Sequence, residues 1–248
     1  MAASQEIEKK RLRELALRAS FAPCAAFTRF VEPTLENDVR AAANEAGVHA
    51  AFFGGYADAE RRIAAFHDGD APEYFPIETL EMRWNAKFAE AKHRDLLGAV
   101  MGLGLERDAT GDVCLGEEAG VAYLFCTEDI ADYIAANLES AGRASLKISR
   151  AGEVRIAPPE GTGIRVTVQT LRLDALLAAG YKLSRSEAQR LISAGLVKLN
   201  HAVEERGDVH LQAGDLISAR GYGRLRIDEI QGETKKGRIG AMLFRYGK

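Results

Sequence analysis

Between residues 171 and 224 the chain concentrates side chains that bind anions. Arg172, Lys182, Arg185, Arg190, Lys198, Arg220 and Arg224 supply cations, with Ser184, Ser186, Gln189, Asn200 and Tyr222 among them. Guanidinium and ammonium groups neutralise phosphates, while hydroxyls and amides hydrogen-bond phosphate oxygens and 2′-hydroxyls. Ser184, Arg185 and Ser186 stand where a helix is predicted to begin, so free backbone N–H groups would join them, and Lys182 adds a cation just before. Arg220-Gly-Tyr-Gly-Arg224 places two cations and an aromatic ring on a glycine-loosened backbone. This chemistry suits RNA binding rather than catalysis.

Two short helices and a strand meander must position these groups. Leu173, Leu176 and Leu177 give the first helix an inward face, and Gly180 is its expected end. The S-x-x-E sequence at 184–187 is a capping box, so a second helix starts at Ser184, turns Ala188, Leu191 and Ile192 inward and stops at Gly195. Arg185 and Gln189 lie four apart, as do Ser186 and Arg190, so both pairs project away from or along the edges of that apolar face. Residues 197–200 alternate, sending Val197 and Leu199 inward and Lys198 and Asn200 outward. Gly214-Asp215 then turns into a further strand.

Composition supports a polyanion partner for one part of the chain. Residues 161–248 hold 15 Lys+Arg against 9 Asp+Glu, a net of +6, which leaves −9 for residues 1–160 of a total of −3 over 248 residues. A basic third on an acidic body is the asymmetry of a chain in which one module meets nucleic acid. Cys24, Cys114 and Cys126 are odd in number and widely spaced, which suggests neither a disulfide framework nor a zinc site. The charged start, M-A-A-S-Q-E-I-E-K-K, lacks the apolar core of a signal peptide, and no apolar run is long enough to span a bilayer. The expectation is a cytoplasmic monomer with no cofactor, no metal and no membrane contact.

The acidic body reads as two further regions, giving boundaries at 1–75, 76–160 and 161–248. In the first, a helix over 4–20 is capped by Ser4 and buries Ile7, Leu12, Leu15 and Ala19. A second covers 34–46 with Thr34 as cap and Gly47 as stop. A short apolar strand at 49–53 runs into Gly54-Gly55. In the second region, alternation at 77–84 predicts a strand, 85–105 a helix, and 112–115 and 121–126 two more strands. Thr127 caps a helix with Ile130, Tyr133, Ile134 and Leu138 on one face and Gly142 at its end, and 145–148 is a last strand. The order βαββαβ is that of a plait like the RRM. Tyr123 and Phe125 share a strand face, where an RRM would stack bases, but no RNP1-like run is present and packing against the plait helices is the favoured reading. Residues 158–163, P-P-E-G-T-G, punctuate the boundary before the basic module. The overall class is α+β.

Other constellations are weaker. Gly54-Gly55 with Arg61 and Arg62 could cradle phosphate, but no Walker-type Lys-Ser/Thr follows and a structural turn is favoured. His93-Arg94-Asp95 matches a kinase catalytic-loop triplet without the Gly-rich loop or D-F-G that kinase chemistry needs. His93, Arg94 and Arg107 are secondary RNA-contact candidates, with Asp95 and Asp112 read as cap and turn residues. His67, Asp68 and Asp70 lie in an acidic turn without the ligand spacing of a metal site.

The run L-R-L-D-A-L-L-A-A-G, L-S-R-S-E-A-Q-R-L-I-S-A-G-L-V-K-L-N and L-Q-A-G-D-L-I-S-A-R-G resembles the S4 RNA-binding domain, the αL motif of ribosomal protein S4, some aminoacyl-tRNA synthetases and pseudouridine synthases. One departure is His201, where that family usually has Gly. F-V-E-P-T-L-E-N-D-V, F-F-G-G-Y-A-D-A-E-R-R-I-A-A-F, K-H-R-D-L-L-G-A-V-M-G-L-G-L-E-R-D-A-T-G-D-V, R-G-Y-G-R and T-K-K-G-R extend the likeness to nearly the whole chain. Together they resemble the YlmH-type S4 proteins, which include the photosystem II S4-domain relatives. The resemblance implies an N-terminal α/β region, a central plait-like RNA-binding domain and a C-terminal S4 domain. It also implies association with the large ribosomal subunit through structured RNA, rRNA with or without tRNA, in translation quality control or ribosome rescue. The alternatives are an RNA-modification enzyme or accessory factor anchored by S4, and a scaffold whose acidic part recruits a protein.

Overall fold

The computed structural model describes every residue except Met1, Pro23, residues 234–236 and Lys248, and the backbone alone for residues 2–5. Ser4's expected capping side chain and most of the T-K-K-G-R segment therefore lie outside the described residues. The chain divides into two compact units, Met1–Pro158 and Pro159–Lys248.

The first unit begins with α1 (Ala2–Ala19), β1 (Ala26–Val31), a 3-10 turn at Pro33–Leu35, α2 (Glu36–Ala46), β2 (His49–Phe53) and β3 (Arg62–His67). The three strands pair antiparallel in the order β1-β3-β2. Leu12, Ala16 and Ala19 of α1 and Val39, Ala42 and Ala43 of α2 pack on one face of this sheet around Ala64 and Phe66. Ile7 departs from the expected stripe and is 71% exposed. Thr34 is not a cap, because Pro33 draws it into the 3-10 turn and α2 begins at Glu36. Gly47 ends α2 as expected, at φ 71°, a left-handed conformation suited to glycine.

The plait follows: β4 (Ile77–Arg83), α3 (His93–Gly102), β5 (Thr110–Leu115), β6 (Val121–Thr127), α4 (Glu128–Asn137), the small hairpin β7 (Ser140–Ala141) and β8 (Ala144–Ser145), and β9 (Lys147–Arg150). Strand order β5-β6-β4-β9, antiparallel throughout, is that of the βαββαβ plait. The first plait helix is shorter than expected. Asn85 Oδ1 accepts from Lys87 N–H (3.1 Å) in a local turn, and α3 starts only where Asp95 accepts the Lys92 N–H (3.1 Å). Thr127 occupies the cap position of α4, but its buried hydroxyl has no hydrogen-bond partner among the described residues. Helix α4 stops at Asn137, and Gly142 turns the β7–β8 hairpin instead. Tyr133, expected on the inward face, is 48% exposed.

Strand β6 is buried along its whole length because both its faces are covered. Ala122, Leu124 and Cys126 meet α3 and α4. Val121, Tyr123 and Phe125 meet Phe30 and Ile63 of the N-terminal sheet. Tyr123 and Phe125 are thus core residues, but against the other sheet and not against the plait helices. Each such side chain contributes roughly 2–3 kcal/mol by leaving water. The face an RRM would offer to RNA is closed.

The glycines confirm how tight this interface is. A Cβ at Gly55 (φ 95°) would lie 2.2 Å from the Phe125 ring, and one at Gly111 would lie 2.6 Å from Phe30. Asp112 holds the intervening loop, accepting from the Tyr56 hydroxyl (3.0 Å) and the Glu60 N–H (2.7 Å). Arg61 is buried, and its guanidinium donates to the carbonyls of Thr110, Phe30 and Arg107. The Gly-Gly segment and Arg61 are structural, and Arg107 is likewise turned to Thr110 Oγ1 (3.0 Å).

The second unit comprises β10 (Gly161–Val168), α5 (Leu173–Tyr181), α6 (Arg185–Ser193), β11 (Val197–Leu199), β12 (Ala202–Val203), β13 (Leu216–Ala219), β14 (Gly223–Glu233) and β15 (Ile239–Tyr246). Residues 161–163, read from sequence as punctuation, already belong to β10. The six strands are ordered β10-β15-β14-β13-β11-β12. Leu173, Leu176 and Leu177 of α5 and Ala188 and Ile192 of α6 pack on Val197, Ile217, Leu225, Ile227 and Leu243 from the sheet.

Candidate RNA interface

The site grows from the join between α5 and α6. Gly180 does not end α5. It is buried within the helix, where a Cβ would lie 2.4 Å from Leu225, so glycine there permits close helix–sheet packing. The stop is Lys182, left-handed at φ 58°, which leaves its ammonium exposed in the two-residue link before Ser184.

Asp174 organises the two helix starts. Its side chain is 7% exposed and lies within hydrogen-bond reach of both Arg172 (3.0 Å) and Arg185 (2.8 Å). Burial opposes its ionisation, but the hydrogen bonds from the two guanidinium groups outweigh that and hold the carboxyl below the usual carboxylate range. Arg172 and Arg185 remain 36% and 53% exposed, so each keeps donors turned to solvent while one edge is fixed.

The first turn of α6 is closed by the chain itself. Ser184 Oγ accepts the Glu187 N–H (3.2 Å), and Glu187 Oε2 accepts the Ser184 N–H (2.8 Å) and hydroxyl (2.7 Å). The Ser184 hydrogen bonds hold the Glu187 carboxyl below its ordinary range. The expected capping box is present, and its consequence differs from the sequence reading: a carboxylate already occupies the anion position at this helix start. Anion contacts from α6 must come from side chains. Ser186 Oγ lies 3.0 Å from Ser184 Oγ, Gln189 donates to Ser193 Oγ (3.3 Å), and Arg190 is exposed one turn on.

The remaining candidates divide between a turn and the outer face of the sheet. Lys198, Ser218 and Arg224 are successive partners across β11, β13 and β14, so they share one face, while Leu199, Ile217 and Leu225 share the face under the helices. Lys198 and Arg224 therefore do not join the α5–α6 cluster. Arg220 and Tyr222 sit on the β13–β14 turn, with the Arg220 N–H on Leu196 O (2.9 Å) and the Tyr222 ring 5.4 Å from that of Tyr181. Tyr181 donates to Gly223 O (2.7 Å), and burial pushes its phenol up to about 12. Lys182, Arg190, Lys198 and Arg220 form no salt bridge with a described residue.

Asn200 is committed to the fold. Its amide donates to Asp215 Oδ1 (2.8 Å) and accepts from the Leu216 N–H (2.9 Å). Asn200 (φ 47°) and His201 (φ 72°) form the two-residue turn between β11 and β12. Sequence reasoning missed Asp174 and Tyr181. The available signal for Asp174 was a lone acid inside the apolar run L-D-A-L-L, which needs a cationic partner if buried.

Residues 71–153 match the family described as "Putative RNA-binding domain in YlmH", and residues 171–217 match the S4 domain. The chain is 38% identical over 215 residues to "Ribosome-associated protein quality control protein P2" of Bacillus subtilis (strain 168), a span of 84% of this chain and 82% of that protein. It is also similar to the solved structure titled "Cell division protein ylmH from Streptococcus pneumoniae", at 22% identity, 58% coverage of this chain, 88% of that chain and a TM-score of 0.47. With an S4 module following a βαββαβ plait in sequence, and that identity over most of both chains, the protein belongs to the YlmH family of S4-domain proteins.

Proposed function

We propose that this chain is a non-catalytic factor that binds structured RNA of the large ribosomal subunit, rRNA with or without tRNA, as a cytoplasmic monomer in translation quality control. The name of the Bacillus subtilis relative supports the ribosomal setting. The observation that carries the reading is the α5–α6 surface. Exposed Lys182 and Arg190 lack ion pairs with described residues, and Arg172 and Arg185 are held at the two helix starts by one buried carboxylate. Fixed guanidinium groups with spare donors suit phosphate oxygens, and Ser186 and Gln189 offer hydroxyl and amide partners. Arg220 and Tyr222 extend the contact from the neighbouring turn, and Lys198 and Arg224 add positive charge on the outer sheet face. Ser184 and Asn200 act by shaping the backbone under these groups.

The test is sedimentation with ribosomal subunits over a salt series, with crosslinks mapped on the protein. The chain should travel with the large subunit at low salt, dissociate as salt rises, and crosslink through residues 172–190. Absence from every ribosomal fraction at all salt concentrations overturns the proposal.

A further inference from the structure

With Tyr123 and Phe125 closed under the N-terminal sheet, any RNA contact made by the first unit must use a different surface. At one end of the plait lies an open groove of about 670 Å³, lined by Arg83, Trp84, Asn85, Lys87, Ser145 and Lys147 among others. Its walls are the turn that replaces the expected start of α3 and the strand-edge segment around β8 and β9. Residues 83–94 carry four Lys/Arg against one Glu, and residues 140–150 carry three against none. Arg83, Arg94 and Arg150 of these runs pair with acids outside them, Glu81 and Glu118, Asp95, and Glu78 and Asp132 respectively, which leaves Lys87 and Lys147 as the groove's cations without a salt bridge to a described residue.

The strand register adds a second, independent observation. Lys147 on the edge strand β9 stands directly opposite Arg83 on β4. Like charges placed so destabilise a sheet, and the chain's own Glu81 and Glu118 offset the Arg83 side of the pair, leaving Lys147 as the uncompensated cation. Arg83 turns to Glu81 (2.6 Å) and Glu118 (3.3 Å), whereas Lys147 and Lys87 are exposed and form no salt bridge with a described residue. Trp84 is partly buried against the plait core and supplies the aromatic wall, and Phe88 on the same turn is 87% exposed.

We propose that this groove is a second RNA site, which holds a single-stranded stretch with its phosphates on Lys87 and Lys147 and an unstacked base against Trp84. Cations flanking an aromatic surface are the pattern that binds single strands with little sequence preference. The proposal rests on the reading of this chain as an RNA binder, but it concerns a surface separate from the S4 module.

The experiment compares the full chain, Lys87→Ala/Lys147→Ala, Lys87→Arg/Lys147→Arg and Lys182→Ala/Arg190→Ala. The probes are large ribosomal subunits and protein-free large-subunit rRNA. The groove alanine pair should weaken binding to both probes and flatten the log–log salt dependence by about 1.4, two single-strand phosphate contacts. The arginine pair should retain affinity, and melting temperatures should be unchanged. Unchanged affinity and slope for the groove alanine pair overturn the proposal. If Lys182→Ala/Arg190→Ala still loses affinity in that case, the proposed function stands. Equal losses from the arginine and alanine pairs mark a structural effect and also overturn it. A loss on subunits but not on bare rRNA assigns the groove to a ribosomal protein and removes RNA as its occupant.

Discussion

Asp174 shows how one buried acid sets the behaviour of two surface cations. It neutralises part of the charge on Arg172 and Arg185, so these residues are positioned first and attractive to phosphate second. Arg185→Ala should lower RNA affinity while reducing the salt slope by less than the 0.7–0.9 or so of a fully available cation. A full unit of slope lost in a salt titration would show that Asp174 does not share the charge. The carboxyl's folded value is depressed, so its stabilisation is fully present above its unfolded value of about 3.9 and lost as pH falls through the lower folded one. Asp174→Asn should therefore melt lower than the parent at pH 7, with the gap narrowing as pH falls below the ordinary carboxylate range of about 3.9. A gap that does not change with pH would contradict the ion-pair account. His201 makes the opposite case, a residue at odds with its backbone. Both turn positions have positive φ, the pattern that favours Asn-Gly, and His201→Gly should stabilise the chain by about 0.5–1 kcal/mol in denaturant unfolding. Destabilisation would mean that the imidazole makes a compensating contact.

Among the elements, those with local chemistry of their own were legible before the structure. The S-x-x-E box placed the start of α6, and alternation placed β4 and β11, because capping and pleating act within a few residues. Ser184→Ala removes the hydroxyl that both accepts the Glu187 N–H and donates to the Glu187 carboxylate. It should cost about 1 kcal/mol of α6 stability, read as faster hydrogen exchange at α6 amides. Unaltered exchange there would deny the cap its role. What sequence could not supply was decided by distant neighbours. Gly180 looks like a stop, yet it is an approach point for Leu225 across the core. Tyr123 and Phe125 were identifiable as buried aromatics, but the covering element was not, because β6 reads as one apolar run whichever face is covered. Helix α3 was overextended for a related reason: Lys87 and Lys92 have good helix propensity, and only the Asn85 turn and the Asp95 cap reveal the break.

For the whole molecule, the division of charge visible in the sequence corresponds to a division of construction. The first unit is built as helices, sheet, sheet and helices, with its aromatics spent on the sheet–sheet interface. The second is a helix pair on a six-stranded sheet with cations distributed over its helices, turn and outer face. The S4 signature was readable because its caps, glycines and apolar spacing lie close together in sequence. The candidate site was readable as a set of residues but not as a surface, since strand register sends Lys198 and Arg224 away from the helices and the Ser184–Glu187 lock closes the expected amide nest. The central claim is that the α5–α6 surface carries the electrostatic contact to large-subunit RNA. The most direct measurement is the salt dependence of large-subunit affinity for the parent chain and for Lys182→Ala/Arg190→Ala. Loss of affinity with a slope flatter by roughly 1.4–1.8 is the predicted result, and unchanged affinity and slope would contradict it.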